Sequence, residues 1–550
     1  MKAKIILLLR EVLGELSSEF PYHGDQEVKV ERPTEEKFGD YTSNVALTAY
    51  AGFTHVLEGH ADEGIVVARG AMKVNSPRAL AEIIKERIVL KNIDFLKSVE
   101  IAGPGHINFY LSDAAYAETI AHILKEGGRY GNSMQGDGEK VNNEFISANP
   151  TGPLHLGNGR GGFYADSLAC VMKKAGYDVT NEYYVNDAGE QVMKLGHSIL
   201  NDSEAVYGGE YIDALAERLK GETDVRAVGE KGATIVLEEM IKPIVQDTMR
   251  VHFNVWTSEK RIIEDGYVDK ALGILKEKNL TFEQDGALWL RTTEFGDDKD
   301  RVLTKSDGTR TYFASDCGHI LWYMEQGVKM ILETFGADHH GYTRRFEAVA
   351  RALGFTGTIH FTLVQLVKLV KDGVEVRMSK RAGNVVAIDE LIEKVGHDVA
   401  RFFFLMYSPD THMNFDLGLA EERSEKNPVY YAQYAFARLS SIERKAAELN
   451  VSASADRLSL LVHPKERVLM RELLAFPELI ERMAAEKTVH QLPQYAVRLA
   501  DRFHSFYADC KVIDEANTSL SGARLSLVAA TKAVLGETLR LMGVSAPEKM

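Results

Sequence analysis

A histidine and an asparagine set among glycines, His155-Leu156-Gly157-Asn158, follow the loop Asn149-Pro150-Thr151-Gly152-Pro153, which closes a short strand-like run from Val141 to Ala148. Far downstream stands a cationic run, Arg377-Met378-Ser379-Lys380-Arg381, with Gly373 before it and Gly383 after it. A loop leading into a helix N-terminus offers backbone N–H groups and a positive dipole end to an anion. His155 can donate to phosphate oxygens, and Gly157 and Gly159 would let a nucleotide lie against the backbone. Arg377, Lys380 and Arg381 suit the outer phosphates of a nucleoside triphosphate. Either run alone is an ordinary turn or a solvated basic patch. Their order and the strand–loop–helix context point to a nucleotide gripped from two sides, and so to nucleotidyl transfer.

Elements of a particular kind must hold these groups. The strand Val141–Ile146, a helix from about Gly157 to Ala175 with Gly176 as its stop, and the strand Val179–Val185 form a β-α-β unit. Such a unit implies a parallel, doubly wound sheet with its ligand crevice at the carboxyl end of the first strand. Before it, residues 1–118 read as a small α+β domain, with a helix from Pro77 to Ile88 and a strand-like run from Val99 to Leu111. Residues 119–426 read as the catalytic domain, with a largely helical insertion at about 200–295 and strands resuming from Ala287. Residues 427–550 show only helical periodicity, broken near Pro464, Pro477 and Pro493. The expected fold class is α/β: a Rossmann-like doubly wound parallel sheet as catalytic core, a small α+β N-terminal domain and a C-terminal α-helical bundle.

Composition sets outer bounds. The 550 residues allow about three to four domains. The three cysteines lie far apart with no Cys-x-x-Cys pair, which argues against a disulfide framework or a zinc ribbon. The apolar run after Met1 is short and acidic residues follow at once, so it reads as an amphipathic helix, not a signal peptide. No stretch approaches the ~18 apolar residues of a membrane span, and a cytoplasmic protein is expected. The net charge of −15 is uneven: residues 425–550 hold 17 Lys+Arg against 15 Asp+Glu. A locally basic helical module can still meet a phosphate backbone, although the same balance is equally an average one. Gly229-Glu230-Lys231-Gly232-Ala233-Thr234 lacks phosphate-loop spacing and sits in a helical region. Asp338-His339-His340 has no third ligand spaced to make a metal site.

The chain resembles the arginyl-tRNA synthetases, of class I, over essentially its full length. The resemblance rests on Phe38-Gly39-Asp40-Tyr41, Asn149 to His155, Tyr183-Tyr184-Val185-Asn186-Asp187-Ala188-Gly189, Thr311-Tyr312 with Asp316, Gly336 to Tyr342, Asn427 to Tyr434, and Leu541 to Met550. Two positions depart from the class signatures. Asn158 replaces a histidine, keeping a hydrogen-bonding group without charge, and Arg377 replaces a lysine, keeping the charge.

The resemblance implies ATP as substrate, accompanied by Mg²⁺ and with no structural metal, L-arginine and tRNA(Arg) as partners, and a monomer away from membranes. It implies catalytic roles for His155, Asn158, Arg377, Lys380 and Arg381, and an ATP site of Pro150, Thr151, Gly152, Pro153, His155, Gly157, Asn158, Met378, Ser379 and Lys380. It gives arginine to Glu144, Ser147, Asn149, His155, Tyr312, Asp316, Asp338 and His339, and the anticodon to a C-terminal bundle read by Tyr430, Gln433, Tyr434 and Arg438. A guanidinium asks for carboxylates in a fork and an aromatic wall, and Tyr312 and Asp316, four apart, share one face of a helical turn. Two other readings stay open: a nucleotidyltransferase of the same fold that uses no RNA, and a non-catalytic tRNA-binding relative.

Overall fold

The computed structural model describes residues 1–19, 27–51, 74–337, 340–376 and 386–550. The chain divides into two compact units: Met1–Gly127 with Ile442–Ala475 and Arg502–Ala533, and Gly128–Ser441 with Phe476–Asp501 and Val534–Met550.

In the first unit an amphipathic helix α1 (Lys2–Glu19) and α2 (Pro77–Leu90), capped by Ser76, accompany a three-stranded antiparallel sheet of β1 (Tyr41–Ser43), β3 (His106–Leu111) and β2 (Leu96–Ala102). The single run expected from Val99 to Leu111 is therefore a hairpin, turned at Gly103-Pro104-Gly105. Gly39 has φ +86°, and a Cβ there would stand 2.6 Å from the Phe109 carbonyl oxygen. The neighbouring Asp40 accepts from the Leu111 N–H and the Tyr116 hydroxyl and pairs with Arg471, so Phe38-Gly39-Asp40-Tyr41 is a fixed corner of this unit. Helix α3 (Asp113–Glu126) follows the sheet.

The second unit is built on five parallel strands in the order β8-β7-β4-β5-β6: β4 (Lys140–Phe145), β5 (Asp178–Val185), β6 (Val255–Ser258), β7 (Met330–Gly336) and β8 (Thr358–Val364). The chain winds outward from β4 in both directions, so the topological switch point, and with it the ligand crevice, lies between β4 and β7. Helix α4 (Leu156–Lys174) covers one face, where Asn143 donates to the Asn181 side chain and to the Ala165 carbonyl. Helix α5 (Tyr312–Glu325) covers the other, where His319 and Tyr323 meet glutamates of β5 and β4.

Strand β6 lies inside the stretch expected to be a helical insertion. Four residues are too few to show alternation, and the strand exists because it pairs with β5 while Trp256 stacks on Tyr183 at 4.4 Å. Around it are the helices Glu210–Arg218 and Val225–Ile235 and π-helical turns to Thr248. Gly229 is helical, and its missing Cβ lets the Val192 carbonyl approach, a packing role. An antiparallel sheet of Thr281–Gln284, Ala287–Leu290 and Arg301–Thr304 precedes α5.

After residue 427 the regular structure is helical: α6 (Pro428–Glu448), α7 (Pro464–Glu486), α8 (Gln491–Asp509) and α9 (Thr518–Leu541). Pro464 and Pro493 sit in first turns, where the missing N–H costs nothing. Pro477 does not break its helix as expected; α7 runs through it, with Phe476, Leu479 and Ile480 buried around the lost hydrogen bond. Within the second unit, buried Arg401 donates to the Met542 carbonyl and pairs with Asp166. Gly543, at φ +66°, is the residue that lets the tail pass that guanidinium, since a Cβ would fall on it.

Candidate active site

Two consecutive non-glycine residues after β4 have positive φ, Ile146 at 64° and Ser147 at 36°. This is costly for a β-branched side chain and persists only where the surroundings over-determine it. Here the Tyr184 N–H donates to Ser147 Oγ (3.0 Å), the Tyr183 hydroxyl to the Ala148 carbonyl (2.9 Å) and Asn186 to the Asn149 side chain (2.9 Å). The Tyr211 hydroxyl donates to the Thr151 carbonyl and lies 3.1 Å from where a Cβ on Gly152 would be, so that glycine admits the ring. Asn149, Pro150, Thr151, Gly152 and Pro153 thus form a loop pinned from β5 and from helix Glu210–Arg218.

The loop ends at His155, the N-cap of α4. Its Nδ1 accepts from the Gly157 N–H (3.1 Å) and the Asn158 N–H (3.4 Å), while Asn158 Oδ1 accepts from the His155 N–H (3.0 Å). The side chains form a reciprocal capping box. The remaining first-turn N–H groups are also engaged, Leu156 with the Val386 carbonyl and Gly159 with the His155 carbonyl. The expected open cradle of N–H groups is therefore closed. With Nδ1 accepting, the neutral ring carries its proton on Nε2. Asn158, in place of the class histidine, holds the histidine that remains.

Gly159 also takes a different role from the one expected. A Cβ there would sit 2.4 Å from Ile388 Cδ1, so the position is filled by protein and not by a nucleotide. Leu154 and Leu156 exchange backbone hydrogen bonds with Ile388 and Val386, tying the segment that follows the second basic run to the first signature. Gly159→Ala is expected to lower stability by about 1–3 kcal/mol through overpacking, with Ile388→Val restoring part of the melting temperature. Thermal melts of the single and double variants check this. Arg377, Met378, Ser379, Lys380 and Arg381, together with Asp338 and His339, lie outside the described residues.

Beneath the loop lies a concentration of acid. Glu333, Glu144 and Glu182 are in register on neighbouring strands β7, β4 and β5, and so point to the same face of the sheet. Tyr312, Asp316, His319 and Tyr323 recur along α5 at helical spacing and look onto that face. The Tyr323 hydroxyl donates to Glu144 Oε2 (2.9 Å), His319 Nε2 meets Glu182 Oε1 (3.1 Å), and Asn142 donates to Glu182 Oε2 (2.7 Å). Tyr184 stacks on His319 at 4.2 Å, and Ser147 adjoins Glu144. Tyr312 opens α5, its hydroxyl accepting from the Glu190 N–H (2.7 Å) and its ring against Gly189.

These neighbours move the titrations. Burial raises Glu144 against the opposing pull of His319. Burial also acts to raise Glu182, but the charge and hydrogen bond of His319 outweigh it, and the net shift is downward. His319 is raised: burial opposes its charge, and Glu182 more than compensates. Burial carries Asp316 up to about 6 against the hydrogen bond of Tyr342 and the charge of Arg345. Glu259, just beyond β6, rises to about 7 by burial and by its neighbours Asp316 and Asp187, against a hydrogen bond from Ser315. A chamber with this excess of carboxylates stabilises a cation. The ligand atoms of Glu144, Glu182 and His319 lie within 4.8 Å of one another, close enough to hold a metal ion as well.

Glu144, Ser147, Tyr312 and Asp316 of this region are among the residues expected from the sequence; Glu182, His319, Tyr323, Glu333 and Glu259 are not. The spacing 316/319/323 was a usable signal; the register of Glu333 and Glu182 with Glu144 was not. Of the residues expected to meet tRNA, Tyr434 is exposed with the Arg438 guanidinium over its ring, and Tyr430 is half-buried. Gln433 has a structural duty instead: it is buried, and its Nε2 donates to Asp398 Oδ2 (2.9 Å) and the Ser545 carbonyl (3.0 Å).

Three family descriptions match along the chain: the arginyl-tRNA synthetase N-terminal domain at residues 3–111, the catalytic domain of class I tRNA synthetases (R) at 229–402, and the DALR anticodon-binding domain at 432–550. The chain is 42% identical to the arginine–tRNA ligase of Bacillus subtilis over 95% of its own length and 94% of that protein. An arginyl-tRNA synthetase structure from Campylobacter jejuni superposes with a TM-score of 0.71 at 30% identity, covering 80% of this chain and 100% of that one. The Thermus thermophilus arginyl-tRNA synthetase shares the fold with a TM-score of 0.77 at 22% identity, covering both chains in full. With its doubly wound sheet, its capped signature histidine and its acidic chamber, the chain belongs to the arginyl-tRNA synthetase family.

Proposed function

We propose that the chain is an arginine–tRNA ligase that activates L-arginine with ATP and passes the arginyl group to the terminal ribose of tRNA(Arg). The acidic chamber carries this reading, because Glu144 and Asp316 supply carboxylates and Tyr312 an aromatic wall for a guanidinium at the mouth of the crevice. The arginine carboxylate attacks the α-phosphorus of ATP and pyrophosphate leaves, so no side chain acts as nucleophile. Asn149 and Ser147 orient the α-amino and carboxylate end. His155 donates through Nε2–H to oxygens that gain charge at the α-phosphate, and Arg377, Lys380 and Arg381 take the departing pyrophosphate. Mg²⁺ accompanies the ATP phosphates, held chiefly by phosphate and water oxygens.

Tyr434 and Arg438 suit stacking on unpaired bases and contact with phosphate. Among the described residues no helix is long and apolar enough to cross a membrane. Charging of bulk tRNA with labelled arginine, with lysine as control, tests the reading. Arginine-specific charging supports it; tRNA retained in a gel shift with no charging favours the non-catalytic alternative. The proximity of Glu144, Glu182 and His319 favours a second reading, a resident metal. Chelator treatment followed by Mg²⁺ alone should restore full charging if the chamber serves the guanidinium, and should not if a transition metal is required.

A further inference from the structure

The three in-register glutamates are not equally provided for. Glu182 receives Asn142 on one oxygen and meets His319 on the other. Glu144 receives Tyr323 and Ser147 and shares a hydrogen bond with Glu333. Glu333 is only 5% exposed, and among the described residues its Oε1 finds no donor. Of the three in-register glutamates the oxygen without a donor is therefore on β7, beside the switch point between β4 and β7 where the crevice opens. On its far side in the same row stands Phe361, which has nothing to donate. A buried carboxylate oxygen without a donor is costly, and a stable fold keeps one where a ligand supplies the missing group.

We infer that Glu333 is a further specificity-determining residue of this site, accepting from the guanidinium of arginine through Oε1 while Glu144 accepts from the same group. The inference rests on the proposed arginine activation. Neighbouring strands lie about 4.8 Å apart, a separation that a planar fork of five N–H donors can bridge. A lysine ammonium presents its three donors at one point and cannot span both acceptors with the same geometry. The neutral ureido group of citrulline has fewer donors and brings no charge to a chamber of carboxylates. Burial and the adjacent Glu144 hold Glu333 well above the usual carboxylate range, and an arriving cation acts against that shift.

The test is Glu333→Gln in the full chain, read by ATP–pyrophosphate exchange with tRNA present, by citrulline inhibition and by thermal melting. Glutamine keeps the size of the side chain and leaves no carboxylate charge beside Glu144 and Glu182, so the melting temperature is expected to hold. The KM for arginine is expected to rise about tenfold or more with kcat little changed, and the preference for arginine over citrulline to fall by a similar factor. Glu333→Asp, which keeps the charge, should recover part of that KM. An unchanged KM and preference in an active variant would overturn the inference, as would a parallel loss of kcat and melting temperature that Glu333→Asp shares. If the wild-type chain itself exchanges no pyrophosphate with arginine, the proposed function has failed; if the wild type is active and only the variant is indifferent, this inference alone has failed.

Discussion

Alanine in place of His155 is expected to cut the kcat of arginine-dependent ATP–pyrophosphate exchange by about 10²–10³-fold while the KM for arginine stays within about threefold. The split follows from the position of the imidazole. At the N-cap of α4 it serves, on the proposed reading, the α-phosphate and not the guanidinium, and the charge it meets develops only as the α-phosphorus is attacked. The same residue caps α4, so alanine also leaves the N–H groups of Gly157 and Asn158 without their acceptor, a loss of about 1 kcal/mol of stability. His155→Asn separates the two roles. Asparagine is a good N-cap but lacks the reach of Nε2, so the melting temperature should recover while kcat remains low. Recovery of kcat together with the cap would show that His155 acts through the helix and not on phosphate.

The second large effect is expected at Asp316. Asp316→Asn should raise the KM for arginine about 10²-fold with a smaller change in kcat, because removing one partner of a buried ion pair costs on the order of 3 kcal/mol. A pH dependence accompanies it. The carboxyl titrates at about 6 in the folded chain, so below that pH it is protonated and a poor partner for a guanidinium. The wild-type KM for arginine should therefore fall as pH rises from about 5 to 7, and the asparagine variant should lose most of that slope. Folding stability moves the other way. An acid whose pKa is raised by folding binds its proton more tightly in the native state, so its contribution declines as pH rises through about 6. An equal slope in both proteins would assign the titration to another group, with Glu259 the next candidate.

What the sequence made legible was local. The strand Lys140–Phe145, the capped helix Leu156–Lys174 and the strand Asp178–Val185 declare themselves through period and punctuation within one stretch of chain. Tyr312 and Asp316 were visible through helical spacing. What stayed hidden depends on partners distant in sequence. Gly159 looks like a nucleotide contact until Ile388 is seen to fill its space. Gln433 looks like an exposed reader until Asp398 and Ser545 enclose it. Glu333 and Glu182 become site residues only when parallel pairing lines them up with Glu144. The edge strand Val255–Ser258 is too short to signal itself, and Gly103-Pro104-Gly105 splits one apparent strand into two. The Asn158 substitution was visible as a departure, but its role in holding His155 rests on the capping box.

The most direct single measurement is ATP–pyrophosphate exchange with the wild-type chain and tRNA present, comparing arginine, lysine and no amino acid. Exchange with arginine alone is the expected result, since adenylation of a guanidinium-bearing substrate is what the chamber and His155 are arranged to perform. Tight tRNA binding with no arginine-dependent exchange would contradict it.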